Sequence, residues 1–385
     1  MMELIKVAKP FIGKEEIDAV KEVLLSGKYV SGKRVKEFEE KFAEYHGVKY
    51  AIAVNSGTAA LHVALSVLGI EQGDEVIVPP LTFFSTISAV LHQYGVPIFA
   101  DIDPVSYCID PADIEKRITK KTKAIIPVHL YGNSAEMDEI INIARKYRLK
   151  IIEDCAQAHG TEYKGRKVGS IGDIGTFSFF ATKHMTTGEG GMLITNNKEW
   201  ADLAKIIRNH GMIDRDHHDY LGYNYRMNEI AAAIGIEQLK KLDHLNKKRI
   251  ENSLYLILEL EKREIIWLKL PKLSKHIKHT FFWCPIFIHK DRLGMTTKEL
   301  IKHLRDSGVE TRNRYREPLY RQKILLEKNK YPHRIFWADN DTDYSNVCME
   351  NVEKIAGCLI GLPNHPGLKK QDLDKIIDII SKIKQ

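Results

Sequence analysis

The sequence predicts an α/β protein. A large domain carries a mostly parallel sheet covered by helices, and a smaller α+β domain follows it. Three observations predict this. Between about residues 50 and 200, short apolar runs alternate with segments of helical periodicity, the pattern of a parallel sheet buried on both faces. After about residue 228 the texture turns helix-rich and highly charged. The length, 385 residues, suits two or three domains at roughly 150 residues each.

The elements follow in order. YAIAVN (50–55) is a strand, and TAALHVALSVLGI (58–70) is a helix with Leu61, Leu65 and Leu68 at helical spacing. GDEVIVPP (73–80) reads as a turn and a strand; VPIFADID (96–103), KAIIPVHLYG (123–132) and LKIIEDCAQ (149–157) are buried strands. EMDEIINIARKYR (136–148) is an amphipathic helix between two of these. TFSFF (176–180) and GMLITNN (191–197) complete the pattern. Residues 228–263 form a long helix, continuous or broken, that leaves the first domain. TFFWCPIFIHK (280–290) is a strand, and 296–308 and 371–384 are helices. The expected division is a large domain over 13–245 and a small one over 246–385, with residues 1–12 packing on the latter.

Composition narrows the function. Hydrophobic residues are 44% and charged residues 28%, values that support a packed core. No apolar run approaches the ~18 residues of a membrane-spanning helix, and the first residues lack a long apolar leader segment. Cytoplasmic residence is expected, with no membrane partner. The five cysteines are odd in number and contain no CxxC pair, which argues for reduced thiols and against a disulfide framework or zinc. The net charge of +7 is spread along the chain rather than gathered in a patch. That distribution suits a phosphate-bearing small substrate and not nucleic acid.

Ligands of such sheets collect at the carboxyl ends of the strands, and four stretches fall there. In NSGTAAL (55–61), a strand turns into a helix whose free N–H groups suit an anion; Gly57 lets the backbone approach and Thr58 adds a hydroxyl. An ordinary helix cap is the plainer reading. In IIEDCAQAHG (151–160), strand alternation sends one of Glu153 and Asp154 into the site and the other away. A buried carboxylate needs a partner, either a protonated ring nitrogen or a core arginine. In PLTFFSTISA (80–89), an aromatic can stack on a flat ring or pack in the core. In FFATKHMTTGEGGM (179–192), Lys183 lies between an apolar segment and a loop with Gly188, Gly190 and Gly191. Burial or a nearby cation makes such a lysine a nucleophile. Ser178 stands five positions before it. Together these are the parts needed to hold a phosphorylated pyridine aldehyde on a lysine.

NSGTAAL, PPLTFFST, EDCAQAHG, TFSFFATKHMTTGEGGM, RNHG and LGYNYRMNEIAAA, in this order, resemble the DegT/DnrJ/StrS family of sugar-nucleotide aminotransferases. The likeness extends to the KPFIGKEE segment at the start and to GVETRNRYREPLYRQ and IGLPNHPGL near the end, so it covers most of the chain. It implies the fold-type I architecture and a pyridoxal 5'-phosphate cofactor, with pyridoxamine phosphate as its aminated form. By resemblance, Lys183 carries the cofactor and then shuttles the proton, and Asp154 lies under the pyridine nitrogen. Gln157 lies near the ring hydroxyl, Phe83 stacks on the ring, and Gly57, Thr58 and Ser178 cradle the phosphate. Asn224 resembles an asparagine that reaches the phosphate from the partner subunit, which implies a homodimer with shared active sites.

The implied reaction moves an amino group from L-glutamate, leaving 2-oxoglutarate, to a nucleotide-linked keto sugar. TTGEGGM resembles the branch that aminates C4 of a 4-keto-6-deoxy sugar. Arg312, Arg314 and Tyr315, in RNRYR, are candidate substrate contacts, since arginine forks suit phosphate. His184, which departs from the family's usual asparagine, is a fourth. Lys28 and Lys33 are weaker candidates. His210, His217 and His218 lack the spacing of a metal site, and no metal is expected. Two alternatives keep the fold: a cyclitol (scyllo-inosose) aminotransferase, and a non-catalytic regulator. A nicotinamide oxidoreductase is disfavoured because no GxGxxG follows a strand.

Overall fold

The computed structural model describes residues 4–327 and 342–383. The central sheet uses β1 (Tyr50–Val54), β2 (Glu75–Val78), β3 (Val96–Phe99), β4 (Thr122–Ile125) and β5 (Lys150–Asp154). A small hairpin of β6 (Glu162–Tyr163) and β7 (Arg166–Lys167) intervenes before β8 (Ile174–Ser178) and β9 (Gly191–Thr195) complete it. The strand order is β1-β9-β8-β5-β4-β2-β3. β9 alone runs against the others, pairing antiparallel with both β1 and β8. The strands are buried almost throughout, as apolar runs covered on both faces should be.

The reversal at β9 has a local cause. Ser178 pairs with Gly191, so residues 179–190 form one loop that returns the chain beside itself. That loop contains Lys183. It therefore hangs at the carboxyl end of β8, the same end at which β5 delivers Asp154 and β1 leads into the helix Gly57–Val67. Ser56 caps this helix by accepting from the Ala59 N–H at 3.1 Å. A side chain at Gly191 would put its Cβ 2.3 Å from the Ser56 carbonyl oxygen, so β9 can lie against the cap only with glycine there.

The long helix is continuous. Glu229–Glu261 spans 33 residues from an Asn228 cap, with no proline to break it. Its first half gives Ala232, Ile236, Leu239 and Leu242 to the core around the central sheet. Its second half gives Leu256, Ile257 and Leu260 to a second core built on β12 (Cys284–Ile288) and β13 (Leu359–Leu362). In this second sheet β12 lies between β13 and β10 (Leu268–Lys269), antiparallel to both. β11 (Ile277–Lys278) instead joins β6 of the hairpin. Near the amino terminus, Ile5 bridges to Val309 and packs in the second core.

One junction sets the wall of the site. The Thr280 N–H donates to the Gly132 carbonyl (2.9 Å) and the Phe282 N–H to the Tyr131 carbonyl (2.7 Å). Gly132 has φ +91°, and a Cβ there would meet the Phe281 nitrogen at 2.5 Å. Glycine thus allows the two segments to touch, and Phe282 and Trp283 are held over the carboxyl ends of β4 and β5. Among the described residues no helix is long and apolar enough to cross a membrane.

Candidate active site

A cavity of about 550 Å³ opens at the carboxyl ends of β1, β5 and β8. Gly57, Thr58, Phe83, Asp154, Gln157, Ser178, Lys183, Arg312, Arg314 and Tyr315 all line it. Ten residues singled out from separate stretches of sequence therefore meet in one place.

β5 separates its two carboxylates by alternation. Glu153 is buried on the far side and accepts from the Gly169, Ile171 and Gly172 N–H groups (2.8, 2.7 and 2.6 Å). It also meets His129 Nε2 at 2.9 Å. Burial alone would raise its pKa, but His129 and these N–H groups hold it below the usual carboxylate range. Asp154 faces the cavity. Its Oδ2 accepts from the Thr86 hydroxyl (2.9 Å) and its Oδ1 from the Ala156 N–H (3.1 Å). Burial dominates here and raises the pKa, against these bonds and the charge of Lys183. Asp154 is thus a desolvated carboxylate with room for a cationic partner on its open side.

Lys183 Nζ sits 5.0 Å from the Phe282 ring centroid. Burial lowers its pKa to about 8; Asp154 opposes the shift and Arg314 adds to it. The side chain is half-buried and lines the cavity. Its neutral form is therefore accessible near neutral pH, as a nucleophile requires.

Gln157 is locked on both ends, accepting from the Tyr131 N–H (3.1 Å) and donating to the Tyr315 hydroxyl (2.9 Å). Burial pushes the Tyr315 phenol well above its ordinary pKa, so it stays a neutral hydroxyl. Tyr131 in turn donates to the Arg314 carbonyl. Thr58 and Ser85 share a hydroxyl–hydroxyl bond of 2.7 Å. A Cβ on Gly57 would come 2.7 Å from Ser178 Cβ. The open cradle between the helix start, Thr58 and Ser178 is thus one that a single added methyl group would fill.

The aromatic and basic residues form the mouth. Phe83 is 52% exposed, with the Arg314 guanidinium 5.9 Å from its ring centroid. Arg312 pairs with Glu310 at 3.1 Å. A second cavity of about 560 Å³ adjoins the first, sharing Phe83, Arg312, Arg314 and Tyr315, and is also lined by Arg305 and Arg316.

Four predicted residues lie elsewhere. His184 is 2% exposed and does not line the cavity; its ring packs near Phe282 and His159 (5.8 and 5.5 Å between centroids). The loop sends Lys183 outward and its neighbour inward, so the structure does not give His184 the substrate contact expected of it. Asn224 is exposed and outside its own chain's cavity, where its carbonyl accepts from Asn55 Nδ2 at 3.2 Å. Lys28 and Lys33 are exposed and are not among the lining residues. The exposed His217 pairs with Asp214 (2.7 Å), and His218 with the His210 carbonyl (3.0 Å).

Sequence reasoning missed Thr86, Phe282 and Trp283. Thr86 lies within PLTFFSTISA, and the signal for it is the need of a buried carboxylate for donors. Phe282 and Trp283 stand just before β12 yet pack with the core around the central sheet, and nothing local announces them.

Residues 10–381 match the DegT/DnrJ/EryC1/StrS aminotransferase family. GDP-perosamine synthase of Escherichia coli O157:H7 is 42% identical over 86% of this chain and 90% of its own. GDP-perosamine synthase of Caulobacter vibrioides is 36% identical over 98% of both. The Helicobacter pylori aminotransferase PseC, involved in the biosynthesis of pseudoaminic acid, superimposes with a TM-score of 0.89 at 30% identity, covering 99% of each chain. The architecture is that of the fold-type I pyridoxal phosphate aminotransferases.

Proposed function

The chain belongs to the DegT/DnrJ/EryC1/StrS aminotransferase family, and from that premise we propose that it moves an amino group from L-glutamate to C4 of a nucleotide-linked 4-keto-6-deoxy sugar. The observation that carries this reading is the pairing of Lys183 and Asp154 in one cavity. Burial makes the lysine's neutral form accessible and gives the carboxylate a demand for a positive partner. A regulator that only binds needs neither.

The residues fit pyridoxal phosphate. Its phosphate is a dianion, and the cradle at Gly57, Thr58 and Ser178 supplies a helix start and hydroxyls with space that a Cβ would remove. Its protonated ring nitrogen would supply the cationic partner that the buried Asp154 carboxylate calls for. When bound, the cofactor supplies an electron sink for a carbanion at the amino acid's α-carbon.

The chain's own groups do the rest. With the cofactor bound, neutral Lys183 Nζ would take the α-proton of the amino donor and hold it for return. Asp154 keeps the ring nitrogen protonated, and Thr86 and the Ala156 N–H fix the direction of its carboxylate. Gln157 and the neutral Tyr315, joined by a hydrogen bond, would offer amide and hydroxyl groups to the cofactor. Phe83, Phe282 and Trp283 give the cavity apolar walls. Arg312 and Arg314 at the mouth receive the carboxylate of the donor and the phosphates of the acceptor in turn. Asn224 reaches the cradle of a partner subunit, which makes the working unit a homodimer. The relatives named GDP-perosamine synthase support a nucleotide-linked sugar as acceptor.

The test is a panel of acceptors with L-glutamate as donor. Formation of 2-oxoglutarate with nucleotide-linked 4-keto-6-deoxy sugars, and not with scyllo-inosose, supports the proposal. The opposite selectivity makes the protein a cyclitol aminotransferase.

A further inference from the structure

The loop that carries Lys183 closes largely on itself. The Lys183 N–H donates to the Phe180 carbonyl (2.9 Å), and the Thr187 N–H to the Phe179 carbonyl (3.0 Å). The Thr186 hydroxyl donates to the same Phe179 carbonyl (3.0 Å) and accepts from the Gly188 N–H (2.9 Å). The Thr186 N–H, three residues past the lysine, departs from this pattern. It leaves the loop and donates to Gln238 Oε1 at 3.3 Å. Thr186 and Gln238 are both buried, so losing this bond leaves an N–H without a partner.

Gln238 belongs to the first half of the long helix, and its partners leave its amide one workable orientation. Glu16, buried in the first turn of the helix Lys14–Ser26, accepts from the Gly13 N–H (2.7 Å) and from Lys241 Nζ (2.9 Å to each oxygen). Burial would raise its pKa, but Lys241, Gln238 and the Gly13 N–H hold it below the usual carboxylate range, so it is ionised at neutral pH. An ionised carboxylate and a backbone carbonyl can only accept. Gln238 Nε2 donates to both, to Glu16 Oε1 (2.8 Å) and to the Phe11 carbonyl (2.7 Å). Its Oε1 is therefore the end that must face Thr186. The second amino-terminal helix, Lys33–His46, grips the head of the same loop: the Phe179 ring centroid lies 5.3 Å from that of Phe38 and 5.5 Å from that of Phe42. Gly235, three residues before Gln238, lets the long helix lie against Phe38, since a Cβ there would meet its ring at 2.7 Å.

We propose that Gln238 is a positioning residue for the transfer reaction: it fixes the Lys183 loop through the Thr186 N–H, and residues 11–16 fix Gln238 in turn. The inference rests on the reading of Lys183 as the reactive amine. Neither Gln238 nor Glu16 lines the cavity, so their effect on the chemistry passes through the loop. The loop's own bonds keep its shape, while the bond to Gln238 ties that shape to the helix shared by both cores.

Gln238→Met keeps the length of the side chain and removes its amide. In the cofactor-free variant, the pH midpoint for modification of Lys183 by an amine-selective reagent should rise from about 8 towards 10.5, because a loosened loop lets the ammonium meet water. With cofactor added, kcat should fall about tenfold while KM for L-glutamate stays within about twofold. Ile257→Ala, in the half of the same helix that faces the second core, is the control: it should lower Tm and leave the midpoint near 8. A wild-type midpoint near 8 that Gln238→Met does not move overturns the inference alone. An equal rise in Ile257→Ala overturns it too, since the shift would then follow from lost stability. A wild-type midpoint at 10.5 removes the reading of Lys183 and this inference with it. Should Gln238→Met fail to fold, Glu16→Ala decides the matter by taking away the carboxylate that orients Gln238: a raised midpoint supports the inference and an unmoved one overturns it.

Discussion

Lys183 must hold a proton at one moment and lack it at another, and its surroundings set the balance. Burial alone would drive its pKa down further; the Asp154 carboxylate pulls it back to about 8. In the cofactor-free protein, an amine-selective reagent should therefore modify Lys183 with a midpoint near pH 8, while exposed lysines follow the ordinary value of 10.5. Asp154→Asn removes the anion that favours the ammonium, so the midpoint should fall below 8. The same change should lower turnover by about a hundredfold or more, because the ring nitrogen loses its counter-charge. An unmoved midpoint would show that the two groups are uncoupled. Lys183→Ala should abolish transamination outright. Lys183, Asp154 and Gln157 were legible because each stands in a short motif at a strand end. Thr86 was harder to see, since its bond to Asp154 spans 68 positions. His184 was misjudged for a related reason: adjacency to the lysine in sequence says nothing of which way a loop turns.

At the scale of elements, β5 illustrates how alternation assigns work. Its last two residues are both acidic, and the pleat gives one to the cofactor side and the other to the scaffold. Glu153 holds the loop Gly169–Gly172 by three N–H bonds, so Glu153→Gln should destabilise the fold by about 2–4 kcal/mol, read by denaturant unfolding. Its pKa is lowered in the fold. The stabilisation is therefore complete above the unfolded carboxyl range near 4.5 and is lost as pH falls through the folded value. The variant should flatten the acid limb of the stability curve. The helix start makes a second case. Gly57→Ala places a methyl against Ser178 and should weaken cofactor affinity by about 1–3 kcal/mol, with partial recovery in Gly57→Ala/Ser178→Gly. Equal loss in the double variant would mean that the clash is not the cause. The strand and helix pattern of residues 50–200 was readable because each run is apolar with a fixed period. The antiparallel course of β9 was not, because direction depends on where a loop returns and not on the composition of the strand. The continuity of Glu229–Glu261 was also left open by a charged sequence whose two halves face different cores.

Over the whole molecule, the site draws on both cores: Lys183 and Asp154 come from the first, and Trp283, Arg312 and Arg314 from segments that lead into the second. Their meeting rests on contacts such as Gly132 against Phe281, which join distant parts of the chain and leave no periodic trace in the sequence. Asn224 extends the argument beyond one chain. If it completes a partner's cradle, mixed dimers of Lys183→Ala and Asn224→Ala protomers contain one intact site, and mixing two weak variants should restore activity. Activity that merely averages the two would place Asn224 outside the site. The central claim is more direct still, that this cavity holds pyridoxal phosphate on Lys183 and takes nitrogen from L-glutamate. It is tested by the visible absorption spectrum of the purified protein with added pyridoxal phosphate, recorded before and after L-glutamate. The account predicts a yellow band that is absent in Lys183→Ala and collapses when glutamate is added to the wild type. A wild-type protein that shows no such band, or a band indifferent to glutamate, would contradict it.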